Sequence, residues 1–406
     1  DPSRLVGTSL AEWLGDTPER VRQFAEMLAR VSTYTDAPDL VDAGATLAQM
    51  QTAIADGVQY VDGGWGSIVH SMLEVLERRG VTIRSGHEVT AIDTDGVSAV
   101  VRTPVGDVHS SAVVLAAGAI QSPQLLMLSG VGDAAQLQAH GIEVRHHLPG
   151  VGANLQDHPD FVFGLRSQSL DSFGVSLGGG LAFWRALRRY RNERRGMLTS
   201  NFAEGGGFLR TSPEQARPDI QLHFVVAAVE DHARKLGLGH GLSCHVCLLR
   251  PRSRGTLTLA SRDVGAAPRI DPAFFQHPDD LAQMVAGFKL TRRLLGQPSL
   301  RAHWSREMWG ADAQTDAEIE ALLRQRVDTI YHPVGTCKMG VDPMAVVDPE
   351  LRVHGLQGLR VVDASVMPTL VSGNTNAPAM MIGEKAAQMM QAAARRPEPV
   401  AAVATA

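Results

Sequence analysis

Chemistry could be built near the C-terminal end of the chain, where a histidine, an acid and an Asn-rich turn follow one another. Tyr331–Gly340 reads Y-H-P-V-G-T-C-K-M-G and sets His332 beside a Gly turn. Leu359–Ser365, L-R-V-V-D-A-S, is an apolar strand-like run that reaches Asp363. Pro368–Pro378, P-T-L-V-S-G-N-T-N-A-P, leads into a helical stretch over Ala379–Met390. Asn and Thr are good N-caps, and Pro is tolerated in a first helical turn because its missing N–H would have no partner there. Such a helix end aims unpaired N–H groups and a partial positive charge at whatever precedes it, and so can stabilise a developing anion. On spacing alone the same residues also read as an ordinary capped helix and a structural histidine.

A second pair with chemical potential is Cys244 and Cys247, spaced C-x-x-C in L-S-C-H-V-C-L-L. That spacing serves redox and metal sites. The surrounding run, however, reads as a buried strand, on which residues three apart point to opposite faces. The structural reading is preferred, and no metal site is expected. With Cys337 the chain has 3 cysteines, which argues against a disulfide framework and for a reducing, cytoplasmic setting, with attachment at the periphery of a membrane as the variant. His158, in Gln156-Asp157-His158, reads as structural, and His354, in the Val353–Gly355 turn, as a surface residue.

The 406 residues suffice for two or three domains with a sizeable core. Apolar content of 44 % with 20 % charged residues reads as soluble and globular, and a net charge of -5 gives no reason to expect nucleic-acid binding. No apolar run approaches the ~20 residues of a transmembrane span. The chain begins at Asp1 rather than Met, so an upstream segment is expected.

The elements that must position these residues follow in order. Residues 1–56 read as helical: Leu10, Trp13 and Leu14, then Val21, Phe24, Met27, Leu28 and Val31, lie at helical spacing. Asp36–Pro38 breaks the run before a helix around Leu47–Ala55. Tyr60–Gly66 is a Gly-rich turn opening a helix that Gly80 closes. Val81–Arg84, His87–Asp93 and Val97–Thr103 alternate as strands, with a hairpin turn at Asp93–Gly96. Ser111–Gly118 is a buried strand running into Gly, where a backbone can approach a cofactor. Ser122 and Pro123 start a short helix that Gly130 ends, and Asp133 starts another that Gly141 ends. From about Asp160 to Ile330 longer strands follow, at Pro218–Val226, Ser243–Arg250 and Gly255–Ser261. Trp184–Arg194 is a basic helix whose arginines read as a solvated face.

Two ordered patterns carry a resemblance. One is Tyr331–Gly340 with Leu359–Glu384. The other is A-A-G-A-I-Q-S-P-Q-L-L-M-L-S-G-V-G (Ala116–Gly132) followed by L-P-G-V-G-A-N-L-Q-D-H-P (Leu148–Pro159). Over about Val113–Met390 the chain resembles the glucose-methanol-choline (GMC) family of FAD-dependent oxidoreductases. Around Ser200–Phe208 it looks like the family's alcohol and choline dehydrogenases that use acceptors other than oxygen. Residues 1–100 resemble instead the phytoene-desaturase-like FAD oxidoreductases, through Tyr60–Gly64 and Gly86–Ile92.

The resemblance implies an α/β chain (α+β overall). A partial, Rossmann-like FAD-binding domain would cover 57–155 and 340–394. A substrate domain with an antiparallel sheet flanked by helices would cover 156–339, between a helical segment over 1–56 and a tail over 395–406. FAD is the implied cofactor and a small-molecule alcohol the substrate, oxidised to an aldehyde, with a quinone or another non-oxygen acceptor taking the electrons. His332 maps onto the family's general base, a role that suits a neutral imidazole with a pKa near ~6.5, and Asn374 onto the donor that holds the alkoxide oxygen. Asp363 and Ala364 are expected at the ribityl–phosphate portion, Asn376 and Ala377 near the flavin ring, Gly118 on the adenosine side, and the Val89 backbone against the adenine, with Ala117 among the cofactor-binding residues. A reduced flavin, with charge near its pyrimidine edge, would suit the helix end described above. Aromatic content of 5 % argues against an aromatic cage for a quaternary ammonium, so a primary aliphatic alcohol is expected ahead of choline.

The strand, G-x-G-x-x-G, helix and acid that normally open a dinucleotide-binding fold do not occur in these residues, and Gly150-Val-Gly152 has the wrong spacing. The competing readings are an incomplete or non-catalytic flavoprotein without the pyrophosphate cradle, a hydroxynitrile lyase, which the GMC family also contains, and a desaturase of apolar substrates.

Overall fold

The computed structural model describes residues 1–33, 38–56, 61, 63–94, 98–203, 205–228 and 238–395. Asp36, Tyr60, the Asp95-Gly96 turn, Val97 and the tail beyond 395, all named above, lie outside them. The chain divides into two compact units, Asp1–Val89 with Thr103–Asp107, and Thr90–Arg102 with Val108–Ala406.

In the first unit α1 (Leu10–Leu14), α2 (Glu19–Thr33), α3 (Ala43–Asp56) and α4 (Trp65–Arg78) form where helical spacing predicts them. A capping box opens α1: the Ser9 hydroxyl accepts from the Glu12 N–H, and the Glu12 carboxylate from the Ser9 N–H. Leu10, Leu14 and Ala29 make a small core. The α2 stripe is exposed at Val21, Phe24 and Met27. Val81–Arg84, expected as a strand, has no regular structure. Val81 and Ile83 are exposed, and no strand pairs with them among the described residues.

The second unit opens with a small antiparallel sheet, β1 (Ala91–Thr94), β2 (Ala99–Arg102) and β3 (Val108–Ser110). β4 (Val113–Leu115) then runs into α5 (Gly118–Leu128). This helix starts ahead of the predicted Ser122 and carries Pro123 inside it. Pro123 has no N–H for the Ala119 carbonyl, and the Thr336 hydroxyl donates to that oxygen at 2.6 Å. β5 (Val131–Gly132), α6 (Ala134–Ala139, capped by Asp133) and β6 (His146–His147) follow.

Next come β7 (Pro159–Ser167), β8 (Gly174–Val175), the basic α7 (Leu177–Glu193), β9 (Gly205–Leu209), β10 (Ile220–Val225), β11 (Gly239–Leu248), β12 (Thr256–Thr258) and β13 (Arg269–Asp271). The chain continues through α8 (Pro278–Leu295), α9 (Pro298–Arg301), β14 (Arg306–Glu307), α10 (Asp316–Arg326), β15 (Asp328–Thr329), β16 (Leu359–Val361) and α11 (Asn376–Ala394). Among the described residues, 7 strands form one antiparallel sheet in the order β14-β7-β11-β10-β9, with β15 also on β7 and β8 on β11. β16 pairs with β4 in parallel.

Alternation decides the two faces of the large sheet. Phe161, Phe163, Leu165, Ile220, Leu222, Cys244, Val246 and Leu248 pack against Met284 and Phe288 of α8 and Ile319 and Leu323 of α10. Each buried Phe or Leu stabilises the fold by roughly 1.5–3 kcal/mol. The intervening positions, Asp160, Gln221, His223, His245 and Cys247, belong to the opposite face. Cys244 and Cys247 are both buried, one on each face.

Candidate active site

Asp157 organises the turn that carries His332. Its Oδ1 accepts from the His158 N–H at 2.7 Å and from the His332 N–H at 3.1 Å. Its Oδ2 accepts from the Thr329 hydroxyl, whose oxygen accepts from the Tyr331 N–H at 2.8 Å. Tyr331 has φ +67°, a left-handed conformation that a non-glycine residue holds only when its surroundings impose it. Burial pushes the Asp157 carboxyl up to about 6, against the three hydrogen bonds that favour its charge.

The loop carrying Asn374 is tied to the same region. The Gly373 carbonyl lies 3.2 Å from His158 Nε2, and Arg250 Nη1 donates to the Ser372 hydroxyl at 3.0 Å. Asn374 Nδ2 then lies 3.4 Å from His332 Nε2, while Asn374 Oδ1 accepts from Gln221 Nε2 at 3.2 Å. The structure therefore brings together two residues far apart in sequence. His332 is half-buried, and its Nδ1 has no hydrogen-bond partner among the described residues. Burial, and then the neighbouring His158 and His223, push its pKa down to about 4, so the ring is neutral at neutral pH. His158 packs edge-on against it, with ring centroids 5.5 Å apart. Burial likewise holds His158 down to about 4, although the Leu248 and Gly373 carbonyls oppose the shift.

Asp363 gathers a second group. Its Oδ2 accepts from the Gly118 N–H at 3.0 Å and the Ser122 hydroxyl at 2.5 Å, and its Oδ1 from the Ser365 N–H at 2.8 Å. The Ala117 N–H donates to Ser122 Oγ at 3.0 Å. Because β4 and β16 are parallel neighbours, their carboxyl ends set Gly118 beside Asp363, and ligands of open α/β sheets bind beyond such ends. Gly118 has φ +83°, which favours glycine. Ala117 is exposed and Ala364 half-buried. Asn376 and Ala377 are exposed in the first turn of α11. The expected side-chain cap does not form there. Thr375 is the N-cap, in a right-handed helical conformation, and its side chain makes no cap hydrogen bond. Val89 lies in the first unit, half-buried, on a segment without regular structure.

His354 is half-buried and its Nε2 lies 2.9 Å from the Gly340 carbonyl, which corrects its reading as a surface residue. Gln221, Asp157, Asp160, His223 and His245 were not singled out by sequence reasoning. The available signal was polar residues at alternate positions of otherwise apolar strands, as in I-Q-L-H-F. Among the described residues no group of His, Cys, Asp or Glu is placed to hold a metal ion.

Two profiles of the GMC oxidoreductase family match the chain in order, the N-terminal one over 62–160 and the C-terminal one over 251–383. The first takes in Gly86–Ile92, read above as phytoene-desaturase-like instead, so the GMC match begins well before the expected Val113 and corrects that reading for this stretch. An alcohol dehydrogenase [acceptor] from Pseudomonas putida is 44 % identical over 338 residues, covering 80 % of this chain and 61 % of its own. An oxygen-dependent choline dehydrogenase from Cronobacter sakazakii is 44 % identical over 279 residues, covering 68 % and 49 %. Among solved structures, a formate oxidase variant from Aspergillus oryzae superposes with TM-score 0.69 at 28 % identity, over 78 % of this chain and 62 % of that one. Pyridoxine 4-oxidase from Mesorbium loti does so with TM-score 0.66 at 28 % identity, over 79 % and 60 %. The chain thus spans 61 % and 49 % of the length of these two sequence relatives. With both profiles matched in order and these folds superposing on most of its length, the chain belongs to the GMC oxidoreductase family.

Proposed function

We propose that this chain forms part of an FAD-dependent dehydrogenase that oxidises a primary aliphatic alcohol to an aldehyde and passes the electrons to an acceptor other than oxygen, such as a quinone. The observation that carries this reading is the 3.4 Å approach of Asn374 Nδ2 to His332 Nε2. The similarity to an alcohol dehydrogenase [acceptor] supports the substrate class and the acceptor.

The residues present fit the flavin end of FAD. The Thr375 side chain does not cap the α11 N-terminus, Asn376 and Ala377 are exposed there, and Asp363 holds Gly118 at the carboxyl ends of two parallel strands. A G-x-G-x-x-G cradle for the pyrophosphate is not among the 406 residues. FAD, when bound, supplies the hydride acceptor. His332 Nε2 takes the hydroxyl proton of the alcohol, and Asn374 Nδ2 donates to the oxygen as it becomes negative. Gln221 holds the other end of the Asn374 amide. The buried free cysteines Cys244, Cys247 and Cys337 fit a reducing, cytoplasmic setting, and no helix among the described residues is long and apolar enough to cross a membrane.

The test is the visible spectrum of the purified protein before and after FAD is added, followed by anaerobic addition of alcohol. Flavin absorbance that alcohol bleaches, and that His332→Gln leaves unbleached, is the expected result. A protein that stays colourless and inactive with added FAD would overturn the reading for this chain.

A further inference from the structure

The face of the large sheet opposite the apolar core carries a polar set of which the proposed reaction uses only the Gln221 amide nitrogen. Strand register sets His223 opposite His245, and Cys247 between Gln221 and Asp160. His245 Nδ1 meets Asp160 Oδ2 at 2.6 Å, and the Asp160 side chain is fully buried. The His223 and His245 rings lie edge to face, with centroids 6.5 Å apart. Three buried atoms of this set have no hydrogen-bond partner among the described residues: Asp160 Oδ1, Gln221 Oε1 and His223 Nε2. Gln221 also donates to Asn374, which makes the set continuous with the His332–Asn374 pair.

Buried polar atoms without partners are rare because burial costs them their hydration, so three on one face point to an occupant. Its chemistry follows from what each atom can do. Asp160 Oδ1 and Gln221 Oε1 only accept, so the occupant must donate; His223 Nε2 can donate or accept. An alkyl chain would leave all three unmet. A carboxylate cannot donate, and it would face Asp160. A quaternary ammonium carries no N–H. A hydroxyl both donates and accepts.

We propose that this face is a subsite for a second hydroxyl group: the alcohol presented to His332 and Asn374 is a polyol, and its distal hydroxyl is held by Asp160, Gln221 and His223. His245 acts as a positioning residue by fixing Asp160. The substrate class rests on the alcohol reading above, whereas the subsite rests on its own unpartnered atoms.

The test compares erythritol with n-butanol, which share a carbon count, on the full chain selectively labelled with 15N-histidine. Binding is followed by NMR of the ring nitrogens, with His223 and His245 assigned from their variants. Erythritol is expected to shift both rings saturably and n-butanol to leave them in place. His223→Leu and Asp160→Asn should each weaken erythritol binding about tenfold or more, and His223→Gln, which keeps a polar nitrogen, should recover most of it. Equal binding of the two alcohols, erythritol binding that leaves these rings unmoved, or unchanged affinity in both weakening variants would overturn the subsite. The titration needs no turnover. A failure of the oxidation reading appears separately, as alcohol that binds without bleaching a flavin.

Discussion

Gln221 Nε2 donates to Asn374 Oδ1 at 3.2 Å, and this bond decides which end of the Asn374 amide meets His332. With the carbonyl oxygen engaged, the NH2 group lies 3.4 Å from His332 Nε2, where the proposed oxidation would need a donor to the developing alkoxide. Gln221→Ala frees the amide to rotate and should lower kcat roughly tenfold to a hundredfold, less than removing the donor itself. Gln221→Glu presents a carboxylate, which favours the inverted amide and should cost more. Steady-state kcat and KM for alcohol oxidation check this; a Glu variant as active as the parent would remove Gln221 from the site's working parts.

His332 should set the acid limb of the reaction. Burial together with His158 and His223 holds its pKa down to about 4, so the neutral, proton-accepting form persists well below the ordinary 6.5. The profile of log kcat/KM against pH, which reports the free enzyme, should stay flat on acidification until pH approaches 4. His332→Gln should lose about 10²–10⁴-fold in rate and with it that limb. A break near the ordinary histidine value would show that another group limits the reaction.

Stability should fall on acidification for a related reason. His158 and His332 are each held at about 4 against an ordinary 6.5, so their contributions are complete above 6.5 and are lost as pH falls toward 4. Asp157 is raised to about 6 from 3.8, so it acts in the opposite sense and adds stability as pH falls through 6. His158 and His332 oppose Asp157 across the shared window, and each changes stability by about 1.4 kcal/mol per pH unit where only one state is protonated. Burial lowers His223 as well, which adds to the histidine side, so the net expectation is a loss of at least about that size per unit between pH 6 and 4. Denaturant midpoints across this range check it, and His158→Asn should flatten the slope.

The pieces of this site were legible in the sequence to very different degrees. His332, Asn374 and Asp363 stand in turns that local pattern marks, but spacing alone also reads them as structural, and only the resemblance to the GMC family gave them roles. Gln221 and His223 were hidden because alternation along β10 tells which side chains share a face, not what that face meets. Their neighbours Asp160 and His245 come from other strands, through a register that no local pattern prints. Val81–Arg84 shows the converse: β-prone residues do not make a strand without a partner. Pro123 read as the start of a helix, yet α5 begins at Gly118, because a hydroxyl distant in sequence serves the carbonyl that the proline cannot.

That last contact yields a test of long-range accommodation. Thr336 is fully buried and Ala119 nearly so, and the Thr336 hydroxyl donates to the Ala119 oxygen at 2.6 Å. Thr336→Val keeps the shape and removes the donor, leaving a buried carbonyl unmet at a cost of about 1–3 kcal/mol. Pro123→Ala restores an N–H at the position where an α-helix would serve that same carbonyl. In this background Thr336→Val should cost less, so the two substitutions should couple by at least about 0.5 kcal/mol in a double-mutant cycle. Urea midpoints of the four proteins measure this. Strict additivity would mean that the Ala119 carbonyl does not depend on Thr336, and that the helix tolerates Pro123 for another reason.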